Sequence, residues 1–441
     1  MSEPVVQSEV VAESPVLAGR WTICAMLFVA TTINYIDRQV LSILKPVLAG
    51  SVLHLHPLLP GWPAIETSIN LTDVQYGNIL AAFQVAYALG VVFAGRLVDR
   101  LGCRVGYPIV TALWSLAAMG HALVRSVFGF GIARFLLGLG ESGNFPAAVK
   151  ATAEWFPPRE RAFATGIFNS GAPVGAIVAP LAVPWVALHF GWRASFLITG
   201  FFSAAWIVWW SIRYRTPASA RAPAAGSSPS APHRSSVAWW TLLRFRQTWG
   251  FMMGKFLTDP VWWFFLFWLP QYFSSRFKLD LSHIGLPLVI VYLCSTVGSV
   301  FGGWLPRGYM RLGMSLKPAR LTAMLTCACL VVPVSVAGGL TSYWIAVALL
   351  SLATAAHQGW SANIFTTASD MFPSEHVGTI VSFGQVAGAL GGAVFQPVAG
   401  HILQLTHSFA PLFVFSGFAY LLALLLLRTL APGLQRAMPE D

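Results

Sequence analysis

Long stretches without any charged side chain constrain this fold more than any other feature. Residues 321–369 and 377–427 contain no Asp, Glu, Lys or Arg, and shorter stretches of the same kind occupy 105–124, 194–212 and 281–306. A helix needs roughly 20 apolar residues to cross the hydrocarbon core of a bilayer, so each of the two longest stretches is predicted to hold a pair of helices. Alternation of period 2 is absent, which argues against a lipid-facing barrel. The chain is therefore predicted to be an all-α membrane protein.

The composition supports the same conclusion. Only 10% of the residues are charged and 56% are hydrophobic, whereas a soluble domain has about 25% charged residues. So few charges leave lipid as the natural solvent for most of the surface. We predict twelve transmembrane helices, at 21–48, 73–95, 105–124, 127–152, 162–189, 194–214, 247–274, 282–306, 318–337, 341–369, 377–404 and 409–429.

The distribution of basic residues predicts the orientation. The chain has 27 Lys and Arg residues and a net charge of +11, and most of them lie in the two tails and in the loops on the same side as the tails. The other side holds only Arg125, Arg193, Arg276 and Lys278. By the positive-inside rule both termini are predicted to be cytoplasmic, in a multi-pass protein of the inner membrane. The basic excess then reflects topology, and no nucleic-acid partner is expected.

The residues that could carry chemistry do not form an enzyme-like pattern. Five cysteines form neither a disulfide framework nor metal-ligand spacing. The sequence contains no Ser/His/Asp set and no phosphate-binding loop, so we expect no enzyme activity, no catalytic residue, no metal and no cofactor. The polar residues 1–20 precede a full-length span, so no signal peptide is expected.

A low-complexity stretch divides the chain. Residues 217–236 are rich in Pro, Ser, Ala and Gly, which is typical of a flexible linker. We predict a cytoplasmic tail, a six-helix bundle, a cytoplasmic linker, a second six-helix bundle and a C-terminal tail, at 1–20, 21–214, 215–246, 247–430 and 431–441.

An internal repeat relates the two predicted bundles. Residues 92–95 resemble 300–303, residues 154–157 resemble 370–373, and the glycines and proline at 171, 175 and 180 match those at 388, 392 and 397. A parallel six-helix repeat predicts a solute site between pseudo-symmetric halves, near the bilayer midplane. The alternative is that glycine-rich membrane helices resemble one another because small residues promote close packing.

Several segments resemble a known transporter family. GRLVDRLGCR at 95–104 resembles the loop signature of the major facilitator superfamily, although Cys103 stands where a second basic residue is common. NYIDR at 34–38 and GESGNFP at 140–146 resemble the anion:cation symporter family. KFLTDPVWW at 255–263 is similar to the hexuronate transporters of that family. This resemblance implies the major facilitator fold, and proton-coupled import of galacturonate or glucuronate by alternating access.

Two adjacent ionisable residues lie inside the first predicted helix. Such residues are costly in a membrane and normally face a cavity or a partner. Asn34 and Arg38 share a helix face, whereas Asp37 diverges from Arg38 by about 100°. We interpret Arg38 as the partner of a substrate carboxylate and Asp37 as a titrating group, and the resemblance implies the same roles. The alternative is a buried ion pair with another helix.

The fourth predicted helix carries a second pair, Arg134 and Glu141. Seven residues return to nearly the same helix face, about 10 Å along the axis. A nearby arginine stabilises a charged carboxylate, whereas burial favours the neutral form, so we interpret Arg134 as a group that biases the charge of Glu141. The resemblance implies that Glu141 is the main proton-coupling residue. Helix-packing contacts are the alternative for both.

Lys255 is a candidate substrate ligand in the seventh predicted helix. It would face the cleft opposite Arg38, and two cations across a cleft suit a solute with a carboxylate at one end and polar groups at the other. Related galactonate carriers tend to have Gln here, so Lys255 favours a hexuronate. The alternative is a lysine near the helix end that extends to the membrane interface.

Other polar and aromatic residues in the predicted helices are weaker candidates. His357 lies at the repeat position of Glu141 and could bind sugar hydroxyls or titrate, with a packed core histidine as an equal alternative. Tyr87 and Trp263 could contact a sugar, or pack as interior and interfacial aromatics. The amides proposed as hydroxyl partners are Asn34, Gln84, Asn169, Asn363 and Gln385.

The loop after the second predicted helix contains a candidate gate. The resemblance implies that Asp99, with Arg100 and Arg104, holds the second and eleventh helices together when the carrier is open to the outside. An ordinary solvated basic loop is the alternative.

The predicted partners are a small anionic sugar acid, protons and the lipid bilayer, and the protein is expected to be a monomer. Two alternatives stay open. One is a carrier of another organic anion, such as an aldonate, a glucarate or an aromatic acid. The other is a membrane receptor that binds a sugar acid without transporting it.

Overall fold

The computed structural model describes residues 19–50, 69–216 and 239–437. Most of the predicted N-terminal tail, most of the predicted linker and the segment 51–68 lie outside these described residues. Within them the secondary structure is helical, without a strand. The α-helices are α1 Arg20–Leu48, α2 Asp73–Gly120, α3 Val127–Glu141, α4 Asn144–Trp155, α5 Pro158–Asn169, α6 Gly171–Phe190, α7 Trp192–Arg213, α8 Arg246–Phe277, α9 Gly285–Arg311, α10 Leu316–Val331, α11 Tyr343–Met371, α12 Ser374–Thr406 and α13 Ala410–Leu430.

These helices make twelve spans in the described part of the chain, and they differ from the predicted helices in several details. The predicted loop 96–104 is wrong, because α2 is helical on both sides of Gly102, where φ is 71° and ψ is 163°. Glycine adopts a positive φ without a steric penalty, so one residue is enough to separate two spans. The fourth span consists of α3 and α4, and the fifth of α5 and α6. The 3-10 segment Val332–Gly339 extends α10.

Four spans are less apolar than the rest. Among the described residues seven helical segments are long and apolar enough to cross a membrane, and one of them, Asp73–Leu123, is long enough for two spans. The remaining spans are α1, α3 with α4, α8, and α11. A helix that faces a polar interior needs an apolar surface only on its other faces, so these four spans are candidates for lining a site.

Glycines permit equivalent close contacts in the two halves, α1–α7 and α8–α13. A Cβ atom on Gly171 of α6 would lie 2.5 Å from the carbonyl oxygen of Phe28 in α1, and one on Gly391 of α12 would lie 2.2 Å from that of Phe256 in α8. Only glycine fits so near another backbone. The pairs α6–α1 and α12–α8 occupy corresponding places in the internal repeat.

The two halves are joined at one end of the molecule. We call the end where α1 and α8 begin the termini end, and the other the opposite end. At the opposite end the hydroxyls of Ser42 and Tyr76 each donate to the carbonyl oxygen of Phe267, at 2.9 Å. One apolar cluster includes α1 from Val40 to Leu48 together with α8 from Phe264 to Phe273, whereas a separate cluster of the N-terminal half lies toward the termini end.

Candidate functional site

A cavity of about 630 Å³ lies between the two halves. Its walls include Asn169 of α5, Phe365 of α11 and Gln385 of α12, which all lie on the termini side of the cavity. The cavity therefore faces the termini end. Nine of the predicted site residues line it: Asn34, Arg38, Tyr87, Glu141, Asn169, Lys255, Trp263, His357 and Gln385.

Tight packing closes the opposite end. A Cβ atom on Gly77 of α2 would lie 2.4 Å from the carbonyl oxygen of Gln396 in α12, and one on Gly400 would lie 2.4 Å from that of Asp73. Lys45 forms an ion pair with Asp73, and the amide of Gln271 in α8 donates to the same carboxylate at 2.7 Å. This polar cluster of Lys45, Asp73 and Gln271 links both halves, and we call it the closing cluster.

Arg38 and Glu141 form an ion pair on the cavity wall. The Nε atom of Arg38 donates to Oε2 of Glu141 at 2.5 Å, across the gap between α1 and α3. The Arg38 guanidinium lies 4.9 Å from the ring centre of Tyr35, 5.0 Å from that of Tyr87 and 5.4 Å from that of Trp263. Such rings attract a cation through their negative faces. The pair uses one of the five N–H donors of the guanidinium, so the group retains donors for a second carboxylate.

Among the described residues no hydrogen bond or ion pair joins Arg134 to Glu141, and the role of Arg134 in biasing the charge of Glu141 stays a prediction. Arg134 is buried, and its terminal nitrogens donate to the backbone carbonyls of Arg38 at 3.0 Å and Asp37 at 3.4 Å. Arg134 and Glu141 are separated by two turns along the helix, so Arg38 of α1 is the cation nearer to Glu141. The Asp37 carboxyl is also buried, beside Thr199 and Ser203 of α7, and is outside the cavity lining.

The C-terminal half contributes a second ion pair. Nζ of Lys255 lies 2.9 Å from Oδ1 of Asp259, one turn further along α8, and 4.2 Å from the ring centre of Phe365. Asp259 lines the cavity but was not among the predicted residues. The i, i+4 spacing of a lysine and an acid inside a span was the available signal. Lys255 is 217 positions after Arg38, the offset that also relates Gly171 to Gly388, so each half contributes a cation from an equivalent position.

His357 is held by aromatic neighbours on the cavity wall. Its ring stacks on Trp262 with 5.0 Å between ring centres and an angle of 5°, and its Nδ1 lies 2.6 Å from the Tyr420 hydroxyl. These contacts orient the ring, and the residue still lines the cavity.

Two predicted amides lie outside the cavity lining. The Asn363 side chain donates to the carbonyl oxygens of Gly302 and Gly359, both at 2.8 Å, and therefore ties α11 to α9. Gln84 is fully buried and packs against Gly392 at the seam between α2 and α12. The pattern of polar residues in a helix does not reveal which of them face the cleft.

Of the predicted gating residues, Asp99 is paired within the N-terminal half in this conformation. The Asp99 carboxylate accepts from Lys150 of α4 at 3.0 Å, and Lys150 also donates to the carbonyl oxygen of Val98 at 3.0 Å. The Arg100 and Arg104 side chains are exposed. The gating role stays a prediction.

A comparison with protein families decides what kind of protein this is. The sequence profile described as Major Facilitator Superfamily matches residues 27–396. The chain belongs to the Major Facilitator Superfamily. It is a transporter and not an enzyme. The cavity between its halves is accordingly the candidate solute site of a major facilitator.

Relatives and solved structures agree with this family. A hexuronate transporter of Escherichia coli (strain K12) is 29% identical over 407 residues, which cover 89% of this chain and 90% of the relative. A galacturonate transporter of Dickeya chrysanthemi is 28% identical over 340 residues, with 75% and 94% covered. The crystal structure of a D-xylose-proton symporter superimposes with a TM-score of 0.71 at 15% identity, over 94% of this chain and 98% of that one. The last comparison supports the fold alone.

Proposed function

We propose that this major facilitator is a proton-coupled symporter that imports hexuronates, galacturonate and glucuronate, across the cytoplasmic membrane by alternating access. One observation carries the proposal. The Arg38 guanidinium lies on the wall of a cavity between the two halves and donates a hydrogen bond to the Glu141 carboxylate, a group that can take up a proton. A cavity of about 630 Å³ is also in the usual range for small-molecule sites. The names of the hexuronate and galacturonate transporters among the relatives support the substrate class.

The Arg38–Glu141 pair suggests how proton and solute are coupled. A solute carboxylate that approaches Arg38 meets the negative charge of Glu141, and two carboxylates sharing a site repel each other. A proton on Glu141 removes that repulsion and releases the Arg38 Nε atom. Binding of the proton and of the solute therefore favour each other, and thermodynamic linkage makes the effect reciprocal.

Asp37 is the candidate for a second proton site in the same half. One proton with one monoanion is electroneutral, whereas a second proton makes each cycle move one net charge. The membrane potential then contributes about 2.3 kcal/mol per 100 mV. Arg134 holds the α1 backbone at both Asp37 and Arg38, so it positions the two groups relative to each other.

The direction of opening follows from the distribution of basic residues. The positive-inside rule assigns the termini end to the cytoplasm, so the conformation described here is open to the cytoplasm and closed to the outside. The return to the outward-open state then requires the closing cluster to separate. In the same step Asp99, Arg100 and Arg104 would approach α12.

Uptake into proteoliposomes tests the proposal. Labelled galacturonate and glucuronate are offered with and without an inwardly directed proton gradient. We expect accumulation above the external concentration only with the gradient, and its collapse on addition of a protonophore. Equal flux of the labelled hexuronate with and without the proton gradient would reject symport. Binding of the hexuronate without any flux would identify a receptor.

The main alternative substrate is another organic anion, such as an aldonate, a hexarate or an aromatic acid. A hexarate would need a second cation for its second carboxylate, and Lys255 is already paired with Asp259. A competition panel of hexuronates, aldonates, hexarates and aromatic acids against labelled galacturonate separates these possibilities.

A further inference from the structure

The charged side chains that line the cavity form two neutral pairs. Among the described lining residues they are Arg38 with Glu141 and Lys255 with Asp259. The second pair is held closely: the exposed fractions of its side chains are 4% for Lys255 and 16% for Asp259. Lys255 is therefore not a free cation that awaits an anionic ligand.

The Asp259 carboxylate is also fixed from the side of α12. A Cβ atom on Gly388 would lie 2.0 Å from Oδ2 of Asp259, so this carboxylate occupies space that only glycine leaves open. One turn further along α12, Gly391 lies directly against the backbone of Phe256, so α8 and α12 are in close contact beside Asp259. The carboxylate thus has a defined position beside Lys255.

Spacing along α8 sets this position relative to Arg38. Lys255, Asp259 and Trp263 follow one another at intervals of four residues, so they share one face and are about 6 Å apart along the axis. The Arg38 guanidinium lies over Trp263. A six-carbon chain extends about 6 Å, at about 1.2 Å per bond. A six-carbon acid whose carboxylate binds Arg38 and whose chain follows α8 therefore has its far end beside Asp259.

We propose that Asp259 is a specificity-determining residue that restricts the site to solutes with one carboxylate and excludes hexarates. This inference rests on the proposed function and deepens it. A distal hydroxyl can donate to the Asp259 carboxylate, whereas a distal carboxylate meets a like charge whose cation is already paired. Specificity of this kind arises from repulsion of the wrong ligand as well as attraction of the right one.

Competition binding with two matched acids tests the inference. Galactonate and galactarate are both acyclic six-carbon acids and differ at one end, where galactarate has a second carboxylate. Each acid is titrated as a competitor against labelled galacturonate bound to the purified, detergent-solubilised full-length protein. We expect galactarate to compete at least about tenfold more weakly than galactonate in the wild type. In Asp259→Asn the gap should shrink to about threefold or less, because the amide carries no charge and can donate.

Asp280→Asn, in the exposed turn before α9, is the matched control and should leave the gap unchanged. Size-exclusion profiles confirm that each variant is folded. The inference is overturned if galactarate competes as well as galactonate in the wild type, a result that needs no variant. It is also overturned if folded Asp259→Asn keeps the wild-type gap. In either case the proposed function still holds if the wild type takes up galacturonate in response to a proton gradient. If the wild type does not bind galacturonate at all, the proposed function itself is rejected.

Discussion

Arg38 combines more interactions than any single role requires. It bonds Glu141 through Nε, lies against three aromatic rings that line the cavity, and has its own backbone carbonyl held by Arg134. A guanidinium is planar and can serve two carboxylates with separate donors, whereas an ammonium is a compact point charge. The residue type matters here as much as the charge.

Arg38→Lys tests this requirement. We expect galacturonate affinity to fall about 10- to 100-fold, since hydrogen bonds to charged groups contribute about 1.5–3 kcal/mol and 1.4 kcal/mol corresponds to tenfold. Displacement of labelled galacturonate measures the affinity, and a thermal melting curve checks the fold. Wild-type affinity in the lysine variant would show that only the charge is needed.

Glu141→Gln tests the proton role of the same ion pair. The amide is close to the carboxylic acid in shape but cannot lose or gain a proton at this site. We expect accumulation driven by a proton gradient to disappear while counterflow exchange of galacturonate continues, because exchange needs no net proton movement. Both are measured in the same proteoliposomes. Equal loss of both activities would assign Glu141 to binding or folding instead.

A helix contact, rather than ligand chemistry, accounts for Asn363, which the sequence offered as a hydroxyl partner. At the crossing of α9 and α11, a Cβ atom on Gly302 would lie 2.0 Å from Cα of Gly359. Asn363 donates to the carbonyl oxygens of both glycines. Its amide thus joins two backbones at their point of closest approach, and this contact explains a buried amide in a span without any ligand.

The neighbouring glycines of α9 provide a matched test of this crossing. Gly302→Ala should destabilise the protein by about 1–3 kcal/mol, as overpacking of a tight contact does, and lower the midpoint of thermal unfolding in detergent. Gly303→Ala places the same methyl group where nothing lies within 4 Å, and its midpoint should stay near that of the wild type. Equal midpoints for the two variants would mean that the crossing tolerates a wider separation.

The two halves are held together at the opposite end, while the cavity faces the termini end. Apolar packing between α1 and α8, the glycine contacts of α2 with α12 and the closing cluster all lie at that end. An alternating-access cycle must exchange this seam for one at the termini end. Removing an interaction present in only one conformation shifts the population toward the other.

Asp73→Asn should weaken the closing cluster and increase the population that is open at the opposite end. Ser42→Cys reports this opening, because Ser42 is fully buried in the seam. In a background whose five cysteines are replaced by serine, we expect an impermeant maleimide to label Cys at this position several-fold faster when Asp73→Asn is present. Asp280→Asn in the same background is the control. Unchanged labelling would show that apolar packing alone closes this end.

Much of the architecture can be predicted from the sequence. The twelve spans and the family followed from uncharged stretches and short motifs, because the cost of placing a charge in hydrocarbon depends on the local segment. The residues at which one helix ends and the next begins were harder to predict. The predicted loop 96–104 is wrong, because two helices meet at Gly102. A single residue with positive φ leaves no hydropathy signal.

Charge inside a span identified some of the cavity-lining residues but not all of them. Arg38, Glu141 and Lys255 line the cavity, whereas Asp37 is buried outside the lining and the lining residue Asp259 was missed. A buried charge requires a polar surface or a partner, and the sequence does not show which of the two it has. Uncharged polar residues gave no such indication, since Asn363 and Gln385 look alike in the sequence but only Gln385 reaches the cavity.

The sequence by itself determined that this chain spans a membrane twelve times, belongs to a transporter family and carries acids and cations inside its spans. Only the tertiary structure decided which acid pairs with which cation, including the pair of Asp259 with Lys255, and which end of the cavity is closed. The physical reason is that hydropathy is a property of contiguous segments. The pair of Arg38 and Glu141, in contrast, joins residues 103 positions apart, and such a contact exists only once the helices have packed.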